Sequence, residues 1–472
     1  MKNNLKSGII KILIVNVLNL VVTLITNFVL PKHLSTETYA AIKSYQFYIN
    51  YIGILHLGYA DGMYLKYGGK SYTEIDTRVF KRELSTLRSF QFIMCFVATV
   101  VALFMRDLVM VLVALSILPY NMFVGYKTIF QAIGDFDSYS KAINASTVIL
   151  FLINMVSLFI LHIDKMQVYL YGYFVCYVLI WIALEYRISR TMCQEAKEYV
   201  VFDVKFFSEN IRSGILLMLG NFSSIILTGM DRWFIKFLMD TVAFAEYSFA
   251  VSIENFINFA VTPVSTTLYN YFCGSVTNQQ IKQVRNLVSV FSAFLIAAAF
   301  PAKFILETYL NKYIAAADVI FYLFVGQFFF IQVKSIYINL YKAQRRQTVY
   351  FIKLSFIVLL GAVFNAVLYM LMKSKEAFAI GTMLTACVWF VLSVMDFPTL
   401  KIEPRQWAYL LTIPVLFLLL GRFKATVGMI LYLLAVAILT YIFMRKEFDW
   451  GIAYIQRGVK TVRAYKGENI NE

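Results

Sequence analysis

Charged and amide side chains stand inside long apolar runs of this chain, and they are the groups whose types and spacing could do chemistry. Lys43, Gln46 and Asn50 form a stripe in one run, with Asp61 further along. Asp231 and Arg232 close another run, and Glu246, Glu254, Asn255 and Asn258 share a third. Lys127, Lys303, Glu307 and Lys334 lie in others. If these runs cross a membrane, each charge costs roughly 2.5–3.5 kcal/mol at the bilayer centre, so each needs a reason to be there. The usual reasons are a wet cavity, an ion pathway or a partner charge. Glu254 and Lys334 lie well inside their runs, so a place in a cavity is expected for both. Lys43, Lys127 and Arg232 lie near the ends, from which a long side chain also reaches the headgroups. Asp231 and Arg232 also read as a structural ion pair at the outer boundary.

The neutral polar residues are patterned too. Residues 14–42 read IVNVLNLVVTLITNFVLPKHLSTETYAAI, and 219–247 read LGNFSSIILTGMDRWFIKFLMDTVAFAEY. In register, Asn16 falls on Asn221, Asn19 on Ser224, Thr23 on Thr228 and Thr26 on Asp231. These positions recur every three or four residues, which is one face of a helix. Asn50 falls on Asn255, and further along Tyr139 falls on Tyr350 and Asn154 on Asn365. In lipid a polar stripe must face protein or water. Interhelical hydrogen bonding is one outlet for it. A stripe repeated in both halves favours a central cavity between two related lobes, the plan of a transporter built from duplicated bundles.

The elements that must position these residues follow from composition. The chain is 60% hydrophobic and 15% charged, against roughly 45–50% and 25% in soluble domains. This is an all-α polytopic membrane protein, with about fourteen apolar segments of spanning length. Lys and Arg cluster in alternate connections, for example Arg78, Lys81, Arg82 and Arg88, then Arg187 and Arg190, then Arg345 and Arg346. That bias places both termini in the cytoplasm. It also explains the net charge of +16 by contact with anionic headgroups, without nucleic acid. The segments divide into a six-helix lobe over 1–189, a cytoplasmic linker over 190–212 expected to hold an amphipathic surface helix, and a second six-helix lobe over 213–400. Two additional helices over 401–444 and a basic tail over 445–472 follow.

Several classes of function are disfavoured. The chain shows no Walker loop, so ATP drive from within it is not expected. It shows no nucleotide fingerprint and no nucleophile–base arrangement, and an enzyme is not expected. Five scattered cysteines and three histidines make no metal-binding pattern. No cofactor is expected beyond a coupling proton or sodium ion.

The segment VLPKHLSTETYAAIKSYQFYI, and Asp231–Arg232 followed by FIKFLMDTVAFAEYSFAVSI, resemble the oligosaccharide flippases of the multidrug/oligosaccharidyl-lipid/polysaccharide exporter superfamily. The resemblance covers essentially the whole chain through loose patterns rather than signatures. A glycine often precedes the tyrosine in that family, whereas Thr38 and Ala243 stand before Tyr39 and Phe244 here. The resemblance implies flipping of an undecaprenyl-diphosphate-linked glycan, such as an O-antigen or capsule repeat unit, across the bacterial cytoplasmic membrane. Lys43, Arg232 and Lys334 would then meet the diphosphate, and Asn16, Asn19, Asn50, Asn221 and Asn255 the sugar. Glu254, Asp231 or Glu246 would carry the coupling ion. A polysaccharide polymerase and a chain-length regulator are the expected partners beside the lipid-linked glycan and the bilayer. Two alternatives stand: a multidrug exporter of the same superfamily, and a non-transporting scaffold of a polysaccharide assembly complex.

Overall fold

A computed structural model describes residues 2–192, 201–274 and 276–449. Among the described residues the regular structure is helical throughout, with no strand. This is what lipid imposes, since a helix satisfies its backbone hydrogen bonds within one segment. The chain forms two compact units, Met1–Gly229 with Asp240–Ser248, and Met230–Met239 with Phe249–Glu472.

The first unit contains α1 (Lys2–His33), α2 (Thr36–Ile52), α3 (Tyr59–Tyr67), α4 (Thr77–Met105), α5 (Leu108–Leu115), α6 (Ile117–Ala132), α7 (Phe136–Met155) and α8 (Met166–Met192). Helix α9 (Val204–Leu238) runs from this unit into residues of the second. The next helix, α10 (Thr241–Glu254), is likewise shared. The second unit continues with α11 (Ile257–Phe272), α12 (Asn278–Leu295), α13 (Ala299–Thr308), α14 (Ala317–Gln332), α15 (Ile338–Ala343), α16 (Gln347–Met372), α17 (Lys375–Met395), α18 (Pro404–Leu420) and α19 (Ala425–Phe443). Of the expected linker, 190–192 end α8, 193–200 lie outside the described residues, and 204–212 are the first turns of α9. Most of the basic tail, 450–472, also lies outside them.

The sequence repeat is a structural repeat. In the first unit α6 packs against α4 and α8, and α7 packs against α8. In the second, α14 packs against α12 and α17, and α16 packs against α17. The additional helices α18 and α19 pack on each other and on the second repeat, where Phe300, Phe321, Phe417 and Tyr432 form an aromatic cluster. Among the described residues nine helical segments are long and apolar enough to span a membrane. The pair α5 and α6, bent by 43°, makes a tenth. Length and apolarity alone thus do not reach the expected count of about fourteen. Helix α2 carries Lys43, Gln46 and Asn50, α10 and α11 are separated by a break at Asn255 and Phe256, and α18 has only 17 residues.

Within the first unit the backbones at α3 and α9 approach closely. A Cβ on Gly214 would stand 2.1 Å from the carbonyl oxygen of Gly58 and 2.2 Å from the amide of Gly62. Gly58 itself has φ of 81°, a left-handed conformation that suits glycine. Beside this contact Glu83, fully buried, accepts from Lys66 Nζ at 2.7 Å, from Asn210 Nδ2 at 2.9 Å and from the Tyr67 hydroxyl. Gly214→Ala is expected to lower the melting temperature of the detergent-purified protein sharply. The obstructing atoms are backbone, and overpacking typically costs about 1–3 kcal/mol or more. Gly220→Ala, in the same helix with nothing near its missing Cβ, should leave stability equal or raised, by up to about 1 kcal/mol.

Asp135 caps α7. Its carboxylate accepts from the Ser138 amide at 3.0 Å, from the Tyr72 hydroxyl at 2.6 Å and from the Ser138 hydroxyl. Burial opposes its charge, but these bonds and the Arg187 charge outweigh it and hold the carboxyl below its ordinary range. A group so depressed contributes stability above its unfolded pKa and loses it as pH falls through the folded one. Melting temperature followed below about pH 4 should therefore fall less steeply in Asp135→Asn than in wild type.

Candidate functional site

In the second unit the candidate charges come together. Helix α10 ends at Glu254, and α11 restarts at Ile257 after a short break. Glu254 is 8% exposed, and Gln327 Nε2 of α14 donates to its Oε1 at 2.6 Å. Asp231, Arg232 and Lys334 all lie within electrostatic reach of Glu254. Asp231 is 4% exposed and accepts from the Thr382 hydroxyl of α17 at 3.4 Å. Lys334 lies in a π-helical turn, Val333–Tyr337, and its ammonium stands 5.6 Å from the centre of the Phe330 ring. Its charge reaches Glu254 through space and not by a direct ion pair. Two carboxylates and two cations thus share the interior of one unit, an arrangement that can hold an anion on the cations or exchange a cation at the carboxylates.

The first unit holds a separate cavity of about 260 Å³. Asn50, His56, Asp61, Lys127, Thr128 and Asn221 supply its polar lining, and Tyr120 and Phe222 supply ring surface. The irregular stretch between α2 and α3 shapes one wall. There the Gly58 amide donates to His56 Nδ1 at 3.1 Å, which leaves the other ring nitrogen as the N–H of a neutral imidazole. That nitrogen faces Asp61 at 3.8 Å.

The remaining residues picked from the sequence have varied places. Lys43 donates to Asn27 Oδ1 at 2.8 Å and stands over the Tyr39 ring. Asn19 accepts from the Thr147 hydroxyl and ties α1 to α7, the interhelical use of a polar stripe. The side chain of Asn16 lies outside the described residues. Asn255 is exposed in the break after α10 and accepts from Asn258 at 3.3 Å. Glu246 is partly buried in the portion of α10 that belongs to the first unit. Sequence reasoning missed Gln327, although an amide within FYLFVGQFFFI was a signal. It passed over His56, and it weighed Lys127 against the headgroups, whereas the structure puts that lysine on the cavity wall.

No family model and no curated protein matches the chain. Solved structures do. A lipid II flippase, MurJ, in an inward closed conformation is similar over 93% of this chain and 99% of its own, with TM-score 0.64 and 13% identity. The fold is shared with that flippase, and with a structure from the multidrug/oligosaccharidyl-lipid/polysaccharide exporter superfamily. An inward-facing multidrug resistance MATE family transporter of this superfamily is similar over 82% of this chain and 99% of its own, with TM-score 0.55 and 13% identity. Both superfamily structures are of transporters, not enzymes, and the chain is a multi-pass membrane protein.

Truncating Glu254 leaves Gln327 without its acceptor and the nearby cations with one anion fewer. Glu254→Ala is therefore expected to lose about 1–3 kcal/mol of stability, read as a lower melting temperature in detergent. Glu254→Gln, which keeps an acceptor for Gln327, should lose less; an equal loss would show that the hydrogen bond does not matter.

Proposed function

We propose that the protein flips an undecaprenyl-diphosphate-linked oligosaccharide from the cytoplasmic to the outer leaflet of a bacterial cytoplasmic membrane, by alternating access. The observation that carries this reading is the interior cluster of Asp231, Arg232, Glu254 and Lys334 within a fold like that of a lipid II flippase. A polar anionic headgroup needs cations and hydrogen-bond donors to leave water. Lys43, Arg232 and Lys334 are the candidates to meet the diphosphate. Asn16, Asn50, Asn221 and Asn255 serve the sugars, and the lipid tail stays in the bilayer. Glu254 is the foremost candidate to take up the coupling proton or sodium ion, ahead of Asp231 and Glu246, because its carboxylate is buried beside two cations. The Lys/Arg bias favours both termini in the cytoplasm, and a polymerase and a chain-length regulator of a surface polysaccharide are the fitting partners.

A multidrug exporter is the second reading, favoured by the likeness to the MATE transporter. It suits a cavity dominated by carboxylates, and cations among them count against it. Deletion in the native host separates the two. Lipid-linked glycan trapped on the cytoplasmic leaflet, relieved by wild type and not by well-expressed Lys334→Ala, is the expected result, with the flux of the variant down at least about tenfold, as for loss of a charge-assisted contact. Unchanged surface glycan together with new drug sensitivity would transfer the assignment to the exporter.

A further inference from the structure

The cavity of the first unit has polar groups that the protein itself leaves unused. Lys127 is partly buried, and its ammonium meets only the Phe123 ring, 5.5 Å from the ring centre. Among the described residues it makes no ion pair and no hydrogen bond. The amides of Asn50 and Asn221 are also without a hydrogen bond among the described residues, and both are exposed to the cavity. An unpaired cation within an apolar helix is costly, and so are idle amides once water is displaced. Three such groups converging on one space point to a ligand that supplies their partners.

The chemistry of the wall narrows that ligand. The ammonium asks for an anion. The two amides and Asp61 offer donors and acceptors for hydroxyl groups, and Tyr120 and Phe222 offer apolar ring surface for the face of a sugar. A cavity of about 150 Å³ accepts benzene, so one of about 260 Å³ has room for one substituted six-membered ring. We infer that this cavity is a subsite for a single sugar ring carrying an acidic substituent, with Lys127 on the acid and Asn50 and Asn221 on the hydroxyls. The inference rests on the flippase reading only in taking the ring to belong to a lipid-linked glycan.

The test needs no gradient and no flipping. Wild-type protein in nanodiscs of zwitterionic lipid is titrated calorimetrically with glucuronate, glucose 1-phosphate, glucose and inorganic phosphate. At least one acidic sugar should bind about tenfold or more tightly than glucose, the gain expected of a charge-assisted bond, and which one binds identifies the acid as carboxylate or phosphate. Lys127→Gln should abolish that preference and Lys127→Arg should keep it. Asn50→Ala with Asn221→Ala should weaken the sugars and not inorganic phosphate. Because Lys127 has no ion pair or hydrogen bond to lose among the described residues, its glutamine variant should fold, and an unchanged melting temperature checks this. Failure of every probe to bind monodisperse protein, phosphate binding as tightly as glucose 1-phosphate, or a preference that survives Lys127→Gln would each overturn the inference. Binding that depends on Lys127, in a protein whose deletion leaves surface glycan normal, would uphold the subsite while removing the flippase.

Discussion

In a bilayer there is no water to satisfy a polar group, so the protein must supply its partner. Much of this structure follows from that constraint. In the first unit Glu185 of α8 accepts from Arg88, Tyr126 and Trp181. In the second, Asp396 after α17 accepts from Tyr341 and pairs with Lys353. Asn154 of α7 accepts from Tyr173 at 2.9 Å. Arg285, 2% exposed, donates to Gln406 and to the Leu400 carbonyl, which fastens the start of α18 to α12. Lys127, Asn50 and Asn221 differ from these in facing one cavity together.

The two repeats solve the same packing problem with different helix chemistry. The first crosses with an unbroken α4, whereas its counterpart is divided into α12 and α13 by a short 3₁₀ turn at Ile296–Ala298. The first bends between α5 and α6, whereas the second keeps one path through α14 and absorbs a π turn before α15. Even so, Glu185 in the last part of α8 and Asp396 just after α17 are each bound to a tyrosine and a cation. The charged residues diverge more. The carboxylate–cation cluster belongs to the second unit, and the cavity with idle amides belongs to the first.

The fold was legible because its causes are local. Apolar runs, Lys/Arg asymmetry and polar residues repeating in helical register each follow from the bilayer. Asn154 and Asn365, aligned by the repeat, are both buried, at 2% and 1% exposure. The charge cluster was half legible. Glu254, Asp231, Arg232 and Lys334 could be picked from the cost of charge in lipid, but not that three helical regions far apart in sequence would bring them together. Asn19 shows the opposite limit. Its stripe suggested a cavity, and the structure gives its oxygen to Thr147, because one polar pattern serves both a wet wall and a dry helix contact. Lys127 could not be assigned from its position in the run, since that fixes depth and not the direction in which a long side chain points.

The π turn at Val333–Tyr337 bears on how this sequence can vary. Its closing bond, from the Ile338 amide to the Val333 carbonyl, spans one residue more than an α-helical bond. The helix therefore holds a surplus residue at this point. The widened turn takes up that residue locally, so the helix on either side keeps close to the register it would have without it. Asn339, whose amide reaches the Ser265 carbonyl at 2.7 Å, would therefore stay on α11 if one residue were lost from the turn. A one-residue loss elsewhere in a helix turns everything after it by about 100°, whereas here it is absorbed. Related sequences can thus differ in length at this turn while keeping the seam between α11 and α15.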